Sequence, residues 1–253
     1  IYKFIYKIKI ILNFVFKKFK MKIGEIFAGT VGGSVNGFAQ VLSGHPLDTI
    51  KVHLQTKGRY DVGLRHLYRG IGYPLLFNIP TVSVQFGTEN IFSQLIKKSG
   101  EEFTWYDGFI SGALTGITAA PLISTMELYR IRRQTFIDSK KFPMNLGLGC
   151  TILREIPAVS AYFGVYRYMF DQLKNHDFFS RSFISGSLAG GTSWLINYPM
   201  DVIKTRIQSG ECYTIKEAFH KGKLWKGVGI CTLRGAVANG FGFVAYETYK
   251  KYL

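Results

Sequence analysis

The chain has 253 residues, 47% of them hydrophobic, and a formal net charge of +16. Its cysteines, Cys150, Cys212 and Cys231, are odd in number and lack CxxC spacing, which argues against a disulfide framework or a zinc site. The basic excess sits at segment ends, with no Cys/His finger and no RNA-binding aromatic motif. That argues against a nucleic-acid partner and for anionic lipid head groups and solutes.

Residues 1–20 place six lysines and no acid among aromatics and isoleucines. They form either a basic amphipathic targeting or surface segment, or translated upstream sequence, since the first methionine is Met21. Beyond them, residues 26–47, 70–88, 108–126 and 183–200 carry no formal charge, each run long enough to cross a bilayer core. Gly, Ser and Thr dilute these runs, so hydropathy scores them weakly. Such composition suits helices around a wet cavity, where half of each surface need not face lipid. Helices are predicted over 23–54, 68–98, 106–134, 146–173, 182–208 and 228–251, joined by short connections. Pro46 is expected to bend the first, because an internal proline removes a backbone hydrogen bond. In the third, Thr125 takes the corresponding place and Pro121 lies one turn earlier, which should move the bend.

One phrase occurs three times: Pro46-x-Asp48-x-x-Lys51-x-His53-x-Gln55, Thr125-x-Glu127-x-x-Arg130-x-Arg132-x-Gln134 and Pro199-x-Asp201-x-x-Lys204-x-Arg206-x-Gln208. The starts at 46, 125 and 199 lie 79 and 74 residues apart, so the chain is a threefold repeat. Thirteen and nine residues before each start stand Gly33 and Gly37, Gly112 and Gly116, Gly186 and Gly190, GxxxG pairs that let helices approach closely. Gly70, Gly147 and Gly227 stand ten residues before Pro80, Pro157 and Val237, and Phe86, Phe163 and Phe243 stand six residues after them. Taken singly, each acid of the phrase can pair with the base one turn later on its own helix.

These residues together resemble the mitochondrial carrier family over about residues 22–252. The resemblance implies an all-α membrane protein: six transmembrane helices in three tandem two-helix repeats, a pseudo-threefold bundle around a central cavity. The repeats would be residues 21–100, 101–175 and 176–253, in a multi-pass, monomeric protein of the mitochondrial inner membrane.

By that resemblance, Asp48 pairs with Arg130, Glu127 with Lys204 and Asp201 with Lys51, a ring closing the cavity on the matrix side. Gln55, Gln134 and Gln208 brace it. The family's cytoplasmic motif is intact at Tyr246-Glu247-x-x-Lys250, but its slots hold Tyr166-Arg167 and Phe170 in the fourth helix, and Glu89-Asn90 and Ser93 in the second. A weak outer gate and a resting state open to the cytoplasm are therefore expected. Arg69-Gly70 and Lys226-Gly227 resemble the family's cardiolipin-binding motif, which is altered at Gly147.

Substrate contacts fall at Phe77-Asn78, Arg154-Glu155 and Arg234, where charge at membrane depth points to function. Neighbouring helical residues diverge by about 100°, so Arg154 and Glu155 are not expected to satisfy one another alone. Trp194 either faces the cavity, where it can hold a cation, or packs between helices. The Arg-acid pair resembles the carnitine/acylcarnitine and ornithine branch, which implies an antiporter of a small zwitterionic or cationic metabolite. Against it, Arg154, Arg234, Arg132, Arg206 and His53 suggest a basic lower cavity suited to a nucleotide or deoxynucleotide. A membrane scaffold that has lost transport is the third reading. No GK[ST], HExxH or GxSxG sequence is present, so no enzyme, metal or cofactor is implied.

Overall fold

The computed structural model describes residues 23–57, 67–68, 70–97, 103–135, 148–208, 212, 214–225 and 227–253. They form α1 (Ile23–Lys57), α2 (Gly72–Ile96), α3 (Trp105–Thr135), α4 (Leu148–Gln172), α5 (Phe178–Gln208), α6 (Ile215–His220) and α7 (Val228–Lys251), with no strand among the described residues. The six long helices close on themselves: α1 packs on α2 and α7, α3 on α2 and α4, and α5 on α4 and α7.

The helix ends follow local chemistry. Asp107 accepts from the backbone N–H of Thr104 at 2.8 Å while its own N–H donates to the Thr104 hydroxyl at 3.4 Å, a reciprocal cap that starts α3. The fifth helix begins four residues before the expected Ser182, because Asp177 accepts from the N–H of Ser180 at 3.0 Å. These backbone donors hold the Asp177 carboxyl below the usual carboxylate range. Short α6 was not expected from periodicity. Its signal is Thr214-x-x-Glu217, whose hydroxyl accepts from the Glu217 N–H at 3.2 Å.

The three glycine pairs bring backbones together. A Cβ on Gly112 would lie 2.5 Å from the Val159 carbonyl oxygen, and one on Gly116 would lie 2.8 Å from that of Glu155. Gly33 would meet the Ser83 Cα at 2.8 Å, and Gly186 the Asn239 carbonyl oxygen at 2.7 Å. Odd and even helices therefore touch where they carry no side chain, and shape rather than water exclusion holds such contacts in lipid. The recurrent phenylalanines point the other way, inward. Phe86 meets Phe163 at 5.3 Å and Phe243 at 5.7 Å between ring centroids, so three equivalent positions converge on one buried cluster.

Outward, large apolar side chains stand bare, among them Leu76 (67% exposed), Leu153 (55%) and Leu233 (63%). So much exposed apolar surface needs a partner phase, and lipid is one. Two segments, Trp105–Met126 and Val228–Lys251, are long and apolar enough to cross a membrane by composition.

Candidate binding cavity

Between the helices lies a cavity of about 260 Å³, walled by polar groups from α1, α2, α4, α5 and α7. Arg154 stands three residues before Pro157, and its Nη1 donates to Asp201 Oδ1 of α5 at 2.5 Å. Its Nη2 donates to Oε1 of its neighbour Glu155. The two neighbours do meet, since the long arginine side chain folds back across the angular gap, but each also takes a partner from another helix. Gln85 of α2 donates to the other Glu155 oxygen at 3.1 Å. Arg154 and Glu155 are both buried.

Arg234, at the equivalent position of α7, pairs through Nε with Asp48 Oδ1 of α1 at 2.7 Å. Its guanidinium stands 5.8 Å from the Trp194 ring, and Trp194 lines the cavity. Gly235 makes room for that indole, since a Cβ there would lie 2.2 Å from Trp194 Cδ1. Asn78 is on the wall and donates to the Gly37 carbonyl at 3.3 Å. Phe77 instead stacks on Tyr73 with centroids 6.1 Å apart.

Two pairs thus have one pattern, an arginine of α4 or α7 on the phrase acid of the next long helix, α5 or α1. Asp48 and Asp201 are held here by Arg234 and Arg154. Lys204 is buried at 1% exposure. For Lys51, Gln55, Glu127, Arg130, Gln134 and Gln208 the description stops at the helical backbone, and Arg69, Gly147 and Lys226 lie outside the described residues. Gly70 and Gly227 both have left-handed backbones, at φ 85° and 91°.

Of the bases expected in the lower cavity, Arg206 lies elsewhere, while the side chains of His53 and Arg132 are outside the description. Arg206 turns away from the cavity, donating to the carbonyls of Ala218 at 2.7 Å and Gly222 at 2.9 Å. It ties α6 to the end of α5, since cations suit the unpaired carbonyls of a helix C-terminus. Arg206→Ala should raise hydrogen exchange of the Ala218 and Lys221 amides about tenfold by local opening. Unchanged exchange there would show that α6 does not depend on this clamp.

The end bearing Tyr246 and Glu247 is closed, against the expected resting state. Tyr166 lies flat on Phe243, 3.6 Å between centroids, with Tyr162 and Tyr246 packed around the phenylalanine cluster. Tyr166 donates to Glu247 Oε1 at 2.8 Å. Beside the aromatics a pocket of about 20 Å³ is lined also by Glu89, Arg167, Glu247 and Lys250. Ring packing closes this end where the ionic motif has degenerated.

Sequence reasoning missed Gln40, Gln85, Tyr162 and Asn239. Gln40 and Tyr162 each donate to Asn239 Oδ1 at 2.9 Å, joining α1, α4 and α7. Their signal was present: an amide inside an uncharged helical run is costly unless it finds a partner.

The family model described as mitochondrial carrier protein matches residues 175–253. The mitochondrial arginine transporter BAC2 of Arabidopsis thaliana is 31% identical over 262 residues, covering 86% of this chain and 88% of its own length. The mitochondrial substrate carrier family protein L of Dictyostelium discoideum is 32% identical over 270 residues (88% and 94%). The mitochondrial glycine transporter YMC1 of Saccharomyces cerevisiae is 30% identical over 279 residues (89% and 90%). Carnitine/acylcarnitine and ornithine carriers are among the further relatives.

Proposed function

The chain belongs to the mitochondrial carrier family, and from that premise we propose that it exchanges a basic or zwitterionic metabolite across the mitochondrial inner membrane. In this reading its six long helices each cross the bilayer. The observation that carries the substrate class is the pair of acids, Glu155 and Asp201, on the cavity wall. They offer carboxylates to a solute with an ammonium or guanidinium group and disfavour the phosphates of a nucleotide. With Arg206 turned away, the nucleotide reading loses part of its basis.

The two arginines differ in access. Arg154 is buried, whereas the side chains of Arg234 and Asp48 are 33% and 36% exposed. Arg234 is therefore the site for a solute carboxylate, which replaces Asp48, while Glu155 and Asp201 take the cationic end. A cavity of about 260 Å³ is small beside the roughly 300–1,000 Å³ of drug-sized sites, in keeping with a metabolite. Named relatives include arginine, glycine and ornithine transporters.

Release of Asp48 and Asp201 would let them join Lys51, Glu127, Arg130 and Lys204 in the matrix gate. Ion pairs away from water are costly to leave broken, so exchanging partners is cheaper than opening a pair outright. Solute binding then shifts the population between two closed arrangements. The left-handed Gly70 and Gly227, at helix starts, fit phosphate groups of anionic lipid such as cardiolipin.

A thermal-shift series on purified protein with arginine, ornithine, carnitine, glycine and ATP tests the substrate class. A ligand at about 100 times its Kd adds about 2.7 kcal/mol to the folded state. Arginine or ornithine is expected to stabilise and to drive counter-exchange in liposomes. Stabilisation by ATP alone overturns the substrate class.

A further inference from the structure

We propose that Gln85 sets the carrier's preference for solutes with a cationic side chain, acting as a positioning residue on Glu155. The proposal rests on the basic-solute reading above. Gln85 lies on α2, five residues beyond Pro80 and away from the positions compared with the family's substrate contacts. It is on the cavity wall, and its Nε2 donates to Glu155 Oε2 at 3.1 Å.

Glu155 is 4% exposed, and its other oxygen is held by Arg154, which also holds Asp201. The carboxylate is thereby fixed from two helices and linked to a third. Of its two clamps, only Gln85 is neutral. An amide orients a carboxylate without cancelling its charge, and its carbonyl oxygen is a further acceptor beside it. A guanidinium or ammonium reaching this corner meets the carboxylate and that oxygen together. A lysine here would place its own ammonium against Glu155 and cancel that carboxylate's charge. A methionine would keep the volume but leave one carboxylate oxygen without its donor. Sites that bind a solute's polar group discriminate strongly against solutes lacking it, because their buried partners are then left unpaired.

The test compares initial uptake of radiolabelled arginine and glycine into liposomes holding the full chain, for wild type, Gln85→Met and Gln85→Lys. The arginine-to-glycine ratio should fall about tenfold in Gln85→Met, through KM rather than kcat, and about a hundredfold in Gln85→Lys. A purely structural role would lower both rates together and leave the ratio alone. Thermal stabilisation by arginine in detergent reads the same preference without turnover, in whichever variant folds. A ratio within about twofold of wild type in either folded variant overturns the role of Gln85 alone, provided wild type takes up arginine. A wild type that takes up neither arginine nor ornithine overturns both this role and the basic-solute reading.

Discussion

An Arg234→Ala carrier is expected to lose about 99% of its exchange activity while still folding. The loss has two parts. The guanidinium is the accessible cation of the cavity, and its removal takes away the site for a solute carboxylate. It also leaves Asp48 without the charge that holds it at 2.7 Å. A hydrogen bond to a charged group contributes about 1.5–3 kcal/mol, and about 2.7 kcal/mol already corresponds to a hundredfold. Arg234→Lys should recover only part of the activity, since an ammonium keeps the charge but not the planar fork of donors. Counter-exchange of arginine in liposomes measures both variants. Arg234→Ala exchange within tenfold of wild type would show that the carboxylate binds elsewhere.

Gly112→Ala should be the most damaging single methyl group in the chain. Its Cβ would fall 2.5 Å from the Val159 carbonyl oxygen and 2.8 Å from the Ser160 Cα, both backbone atoms that no rotamer change can move. Helices α3 and α4 must therefore part. Overpacking of this kind costs about 1–3 kcal/mol and occasionally more, which lowers Tm on the order of 10 °C at this chain length. Gly191→Ala is the internal control. Its nearest neighbours, the Ala236 Cβ and Thr232 Cγ2, stand at 3.7 Å, an ordinary contact, so the change in Tm should be small. Equal shifts for the two variants would show that close packing of α3 on α4 is not limiting.

Much of the framework is legible in residue spacing. The third helix was expected over 106–134 and runs Trp105–Thr135, and the last matches at Val228–Lys251. The glycines at 112 and 116 announced a packing face, and the phenylalanines at 86, 163 and 243 marked equivalent positions that the structure gathers into a cluster. Small α6 escaped because six residues are too few for a periodicity to show, and only its cap marks it. The early start of α5 escaped because Asp177 was not read as a cap.

Charge partners were harder to read. Composition placed Arg206 among the cavity bases, yet it clamps α6. The degenerate outer motif suggested an open end, yet rings that were visible in the sequence fill it.

The sequence alone determines the threefold repeat, the six long helices and the height of each charge along its helix, because helical rise and period turn residue number into height and direction. Only the tertiary structure decides that Asp201 goes to Arg154, Asp48 to Arg234 and Glu155 to Gln85. A long side chain on a known helix face still reaches several neighbours. Which of them it takes depends on how closely the backbones approach and what else fills the space between them.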